Sequence, residues 1–331
     1  MIATATVSPR THTQILRMLC LKLSTTYDPL PTSFYLQRVK RIDAEPFDQS
    51  GSYADIYLGR YNDTQVVLKR PRASQQYSGM KSQSIKHFCR ESLLWKKLDH
   101  LYVLPFLGIS RDVWDPMCIV LPYMRNGAIR RRLRAQETHL RLTIENFEEH
   151  VNRWLYEAAL GVEYLYGQGV VHGDLHCGNI LMDAEDHVRI TTFGFALIAA
   201  ATPGQYGSVH GGAAPQCNAP ELLGIDEADE ADESNDLSDR RPTVASDVYA
   251  FACTSVELYG DEHPWGNATP ARIVMALARG RRPERPVTPH GGLMPQPMWD
   301  LVQACWKEQP SERLGISALV QKLDAIASSK C

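Results

Sequence analysis

Residues 170–194 read VVHGDLHCGNILMDAEDHVRITTFG, and the interpretation of the whole chain hangs on this stretch. Its reactive side chains, His172, Asp174, His176 and Asn179, lie close together between apolar residues, and the triplet Thr192, Phe193, Gly194 follows. Upstream, Val151, Trp154, Leu155, Ala158, Val162 and Leu165 recur at i, i+3, i+4, i+7, i+11 and i+14. That spacing predicts a helix with one apolar stripe turned to a core, and no cofactor is needed to explain it. Farther upstream, Ile85, Phe88, Cys89, Leu94, Trp95 and Leu98 mark one face of a second helix, while Cys118, Ile119, Val120 and Leu121 form a short apolar run. A run of that length reads as a buried strand.

Taken in order, these residues resemble the protein kinase family. His172, Gly173, Asp174, Leu175 and Asn179 resemble its catalytic loop H-R-D-L-x-x-x-N, and Thr192, Phe193, Gly194 resemble the metal-binding D-F-G. Residues 49–59, QSGSYADIYLG, resemble the glycine-rich loop G-x-G-x-x-G-x-V; Gly51 is its middle glycine, and Gln49 and Ala54 replace the outer two. Val66, Val67, Leu68 and Lys69 resemble the V-A-I-K strand, and Glu91 on the following helix is the natural partner of Lys69. Asp99 and His100 lead into LYVLPFLG, similar to the family's passage H-x-N-I-x-x-x-x-G, and the strand at 118–121 runs into what looks like the hinge, with Leu121 as gatekeeper. Ala219, Pro220, Glu221 resemble A-P-E, and Asp247 resembles the helix aspartate that holds the catalytic loop's backbone. Cys305, Trp306, Pro310 and Arg313 resemble the C-W-x-x-x-P-x-x-R signature frequent in tyrosine-kinase-like kinases. Residues 1–36 resemble the leader before the kinase domain in many such proteins of basidiomycete fungi, with a candidate short helix at 14–23.

The resemblance covers roughly 37–327 and implies an α+β, two-lobed protein-kinase-like fold. Its β-rich N-lobe spans about 37–121, the hinge about 122–126 and the helical C-lobe about 127–327, with ATP between the lobes. Nucleotide contacts are implied for Gly51, Ile56, Val67, Lys69, Glu91, Leu121, Tyr123, Met124 and Leu181; Pro122 leaves adenine contacts to the backbone of Tyr123 and Met124. In the family's phosphoryl transfer, the residue at Asp174 accepts the substrate hydroxyl's proton, and those at Asn179 and 192 hold magnesium.

Four departures bear on activity. Thr192 offers one neutral oxygen where a hard cation needs a carboxylate. Losing metal stabilisation of about 4 kcal/mol lowers a rate on the order of a thousandfold. His176 stands where related kinases carry a phosphate-touching lysine, and an imidazole is the weaker anchor. Ala213 and Ala214 occupy the Gly-Thr positions before A-P-E, and Gly173 replaces an arginine whose loss affects regulation rather than chemistry. The expected protein is therefore a pseudokinase that binds ATP, with magnesium weak or limited to one ion, and serves a protein partner as scaffold or regulator. The alternative is an active serine/threonine or dual-specificity kinase with atypical metal use, since Asp174, Asn179 and Lys69 remain. A metabolic small-molecule kinase fits less well, because A-P-E and the C-terminal signature belong to kinases of protein substrates.

Composition agrees. The 331 residues, 44% hydrophobic, allow a sizeable core, and a net charge of −3 leaves no basic footprint for nucleic acid. Arg130, Arg131, Arg132 and Arg134 are expected to be a solvated helix face. Eight cysteines lack C-x-x-C spacing and read as buried thiols of a reducing compartment. With no apolar run of a membrane span and no signal peptide, a cytoplasmic location is expected, and the sequon at Asn267 carries no weight. Residues 225–241 form an acidic insert, expected to be a solvated loop with docking of a basic partner as its functional reading.

Overall fold

The computed structural model describes residues 30–46, 54–71, 88–89, 91–114, 117–136, 141–193, 197–198, 215–223 and 241–328. The expected leader helix, Gly51, Gly194, Ala213, Ala214 and nearly all of the acidic insert lie outside the described residues. The chain divides into two compact units, Met1–Asp99 with Leu104–Tyr123, and His100–Val103 with Met124–Cys331.

The first unit is built on a curled antiparallel sheet of order β1-β2-β3-β5-β4. Its strands are β1 (Lys40–Arg41), β2 (Ala54–Tyr61), β3 (Thr64–Pro71), β4 (Gly108–Ser110) and β5 (Cys118–Pro122). Asn62 and Asp63 both take positive φ, 45° and 60°, the backbone a two-residue hairpin needs to match strand twist. Register then sorts the side chains, because residues directly opposite share a face. Tyr57 faces Leu68, and Leu68 faces Val120. These three join Val39, Val66 and Cys118 in a buried cluster that Leu36, Val113 and Trp114 cover in part. Helical residues 91–95 bring in Trp95, fully buried, whose Nε1 donates to the Leu104 carbonyl at 2.5 Å.

The second unit is helical: α1 (Ile129–Leu133), α2 (Phe147–Gly167), α3 (Pro220–Leu223), α4 (Val244–Gly260), α5 (Pro270–Leu277), α6 (Gln296–Cys305) and α7 (Ile316–Ser328). Two small ribbons complete it, β6 (Val170–Val171) with β9 (Leu197–Ile198) and β7 (Ile180–Met182) with β8 (Val188–Ile190). All six stripe residues of α2 are buried. Gly161 lets α2 approach closely, since a Cβ there would lie 2.8 Å from Ile190 Cδ1 and 3.0 Å from the Tyr102 carbonyl. Helix α4 is buried from Ser246 to Tyr259, as a central helix must be, and starts with a reciprocal capping box between Thr243 and Ser246.

The unit boundary falls after Tyr123, inside the expected hinge, and Pro122 still pairs in register with Val66. Two expectations need adjusting. Residues 100–103 belong to the second unit: Tyr102 O accepts the Ile190 N–H at 2.9 Å, and the His100 ring stacks on Tyr164. The arginine run is no simple solvated face, for Arg130, Arg132 and Arg134 are each ion-paired to acids distant in sequence. The described cysteines, Cys89, Cys118, Cys177, Cys217, Cys253 and Cys305, are buried thiols outside any disulfide.

Candidate functional site

In the first unit, alternation along β3 puts Val67 and Lys69 on one face of the sheet. Lys69 lies opposite Ile56 of β2 and Ile119 of β5, and Val67 opposite Leu58 and Leu121. Four of the residues expected to contact nucleotide, Ile56, Val67, Lys69 and Leu121, therefore share a surface. Leu121 is buried, while Ile56, Leu58 and Val67 are only half-buried. Lys69 Nζ meets Glu91 Oε1 at 2.6 Å, with side-chain exposures of 15% and 9%. The pairing offsets the desolvation of both charges. An apolar surface ending in a fixed ammonium suits a flat ring that carries an anionic tail. Tyr123 and Met124 are half-buried where β5 ends.

In the second unit the site is the loop after β6. Asp247, in the first turn of α4, accepts the His172 N–H at 2.7 Å and the Gly173 N–H at 2.8 Å. Burial pushes its pKa up to about 7, against the lowering effect of those two amides and of the Tyr166 hydroxyl. Gly173 has φ +79°, a conformation glycine reaches without a Cβ penalty. His172 Nδ1 accepts the Asp174 N–H at 3.2 Å, and its Nε2 lies 3.0 Å from the Thr191 carbonyl. A carbonyl only accepts, so Nε2 carries the proton. Burial lowers the His172 pKa to about 4, keeping the ring neutral. The Phe193 ring packs against it at 5.5 Å.

Asp174, His176 and Asn179 come together. Asn179 Nδ2 donates to the Asp174 carbonyl at 2.8 Å and to Asp174 Oδ2 at 3.0 Å, and lies 3.0 Å from His176 Nε2. His176 Nδ1 accepts the Gly178 N–H at 3.1 Å, and its Nε2 is 3.8 Å from Asp174 Oδ2. Thr192 follows β8, half-buried, with φ +69°. It is tied to this group through the backbone, the Thr191 N–H donating to Asn179 O at 3.0 Å. Leu181 lies in β7 and bridges Ala128.

The donor set fits a firmly held magnesium poorly. Asn179 and Thr192 offer only neutral oxygens, and Asp174, which accepts from the Asn179 amide nitrogen, is the one carboxylate of the group. Among the described residues no cluster of three or more His, Cys, Asp or Glu could hold a metal ion. Magnesium binds through carboxylates that neutralise its charge.

Two supporting residues escape a reading by motif. Tyr166 bonds Asp247 from the last turn of α2, and nothing local distinguishes it from a surface tyrosine. Glu257 accepts the Cys177 N–H at 3.3 Å. A second carboxylate after Asp247, deep inside the apolar run of α4, VASDVYAFACTSVELYG, is the signal that could have found it.

The family model described as protein tyrosine and serine/threonine kinase matches residues 49–323. The chain is 28% identical over 282 residues to the probable serine/threonine-protein kinase drkB of Dictyostelium discoideum, covering 83% of this chain and 36% of that protein. To the serine/threonine/tyrosine-protein kinase HT1 of Arabidopsis thaliana it is 27% identical over 277 residues, covering 83% and 64%. To the NT-3 growth factor receptor of Sus scrofa it is 25% identical over 309 residues, covering 89% and 35%. The chain thus spans between 35% and 64% of the length of these relatives.

Proposed function

Because the chain belongs to the protein tyrosine and serine/threonine kinase family, we propose that it is a pseudokinase, which binds ATP but transfers its phosphate slowly or not at all. Thr192 carries this reading: a neutral hydroxyl stands where the family's metal-binding triplet has its carboxylate. The Lys69–Glu91 pair and the half-buried Ile56 and Val67 support retention of nucleotide. The protein then acts in the cytoplasm as a scaffold or regulator for a protein partner. Among the described residues no helix is long and apolar enough to cross a membrane.

Calorimetric titration of ATP with and without magnesium tests this. Affinity should change by less than about tenfold, or about 1.4 kcal/mol. Thr192→Asp should make binding magnesium-dependent and restore transfer only in part, because His176 remains. A wild-type complex that collapses on removing magnesium would sink the reading.

A second reading, an active serine/threonine or dual-specificity kinase, is favoured by one observation: Asp174 is held between Asn179 and the His172 ring. Radiolabelled autophosphorylation that vanishes in Asp174→Asn would put it first.

A further inference from the structure

Residues 130–134 carry four arginines, and such crowding of like charge calls for anionic partners. Arg132, 4% exposed, lays Nε and Nη2 on the two carboxylate oxygens of Asp186 at 2.5 and 3.2 Å, and its guanidinium covers the Trp154 ring. Asp186 forms the β7–β8 turn at φ +67°, its carbonyl accepting from Trp154 Nε1 at 3.2 Å. Arg130 Nη1 sits 3.2 Å from Glu257 Oε1, and the other oxygen of Glu257 accepts the Cys177 N–H. Arg130 Nη2 also donates to the Asp261 carbonyl at 2.8 Å. The short helix α1 therefore reaches both sides of Asn179: the loop before it through Glu257, and the hairpin after it through Asp186. Backbone contacts reinforce this, since Gly127 O accepts the Met182 N–H at 2.9 Å.

We propose that Arg130 and Arg132 are positioning residues for the nucleotide site, clamping residues 177–186 so that Asn179 keeps its place beside Asp174. This role rests on the ATP-binding reading above. The physical reason is that Glu257 is a buried carboxylate. Without Arg130 its nearest remaining charge partner is His263, 3.7 Å away and half exposed. A buried carboxylate does not hold its geometry once its partner is gone. Turning toward His263 or water, Glu257 lets go of the Cys177 amide, two residues before Asn179.

The test uses the full chain and the variants Arg130→Met, Arg132→Met and Arg130→Lys, with Arg134→Met as internal control. Arg134 is half exposed and shares Asp261 with Arg130, but its own bonds go to Asp261 and not to Glu257 or Asp186. Hydrogen–deuterium exchange read by mass spectrometry should speed up about tenfold in peptides covering 174–186 in both methionine variants, with peptides of α6 and α7 unchanged. ATP affinity should weaken about tenfold in the same variants. Arg130→Lys should restore both readouts, and Arg134→Met should alter neither. Exchange that rises equally across the whole second unit, or an equal effect of Arg134→Met, would reduce these arginines to general stability and overturn the proposal. A wild-type chain that binds no ATP would sink the function proposed above, while the exchange measurement would still decide the clamp.

Discussion

Thr192 illustrates what a single residue records. At φ +69° its β-branched side chain crowds the backbone, a left-handed conformation that asparagine and aspartate tolerate far better. Thr192→Asn should therefore raise stability by roughly 1 kcal/mol in a urea titration; a loss would mean that the threonine hydroxyl or methyl makes an essential contact. His172 and Asp247 yield a sharper prediction. Burial lowers His172 from 6.5 to about 4 in the folded chain. Its contribution is fully present above pH 6.5 and is lost as pH falls through 4. Burial raises Asp247 from 3.8 to about 7. Its contribution is fully present below pH 3.8 and is lost as pH rises through 7. Between pH 4 and 6.5 the two slopes oppose, so each single variant should expose the other group. Asp247→Asn should make stability climb with pH across that window, and His172→Gln should make it fall. Urea midpoints at several pH values in this window check both; identical profiles in wild type and variants would refute the opposition.

At the scale of elements, a strand places the lysine of the first unit and a helix places the loop of the second. Strand β3 aims Lys69 at Glu91 by alternation, so the lysine's face follows from its register with Ile56 and Ile119. Helix α4 matters more, because Asp247 in its first turn holds the loop and Glu257 farther along holds Cys177. Its N-terminus depends on the Thr243–Ser246 capping box. Thr243→Ala should cost about 1 kcal/mol, and Thr243→Asp much less. The loss should be felt at the loop as well, seen as faster exchange of the His172 and Gly173 amides. Unchanged exchange there would mean that the burial of α4 alone fixes Asp247. The stripe of α2 was fully legible in the sequence because helical period is a local property and an apolar face at that period calls for burial. The inward turn of the arginines was not, since their partners lie on other elements.

Across the whole molecule, Arg313 ties α3 to the segment before α7. Its Nη1 and Nη2 meet the two oxygens of Glu221 at 2.7 and 2.8 Å, across 92 positions of sequence. Glu221 belongs to the A-P-E likeness and Arg313 to the C-W-x-x-x-P-x-x-R likeness. Arg313 is fully buried, but the Glu221 side chain remains 24% exposed. That asymmetry sets the prediction. Arg313 also donates to the carbonyls of Ala245, Lys307 and Glu308, and its guanidinium packs on the Tyr249 ring. Arg313→Met strands all of these acceptors and should cost about 3 to 5 kcal/mol. Glu221→Gln leaves a neutral group that water can reach and should cost about 1 to 2 kcal/mol. Chemical denaturation of the two variants compares them directly; equal losses would mean that the carbonyl bonds of Arg313 contribute little.

Residue identity and order were enough to establish the kinase family and the two-lobed architecture. Those depend on which side chain stands where along the chain, and on periods shorter than a helical turn or two. The tertiary structure decided what each of those residues experiences. It set Thr192 in a left-handed backbone, buried Asp247 under two amides, and turned Arg130 toward Glu257, 127 positions away. The physical reason is distance in sequence. The bonds that Asp247 and Arg130 make come from neighbours 74 to 131 residues off, which only packing brings within reach.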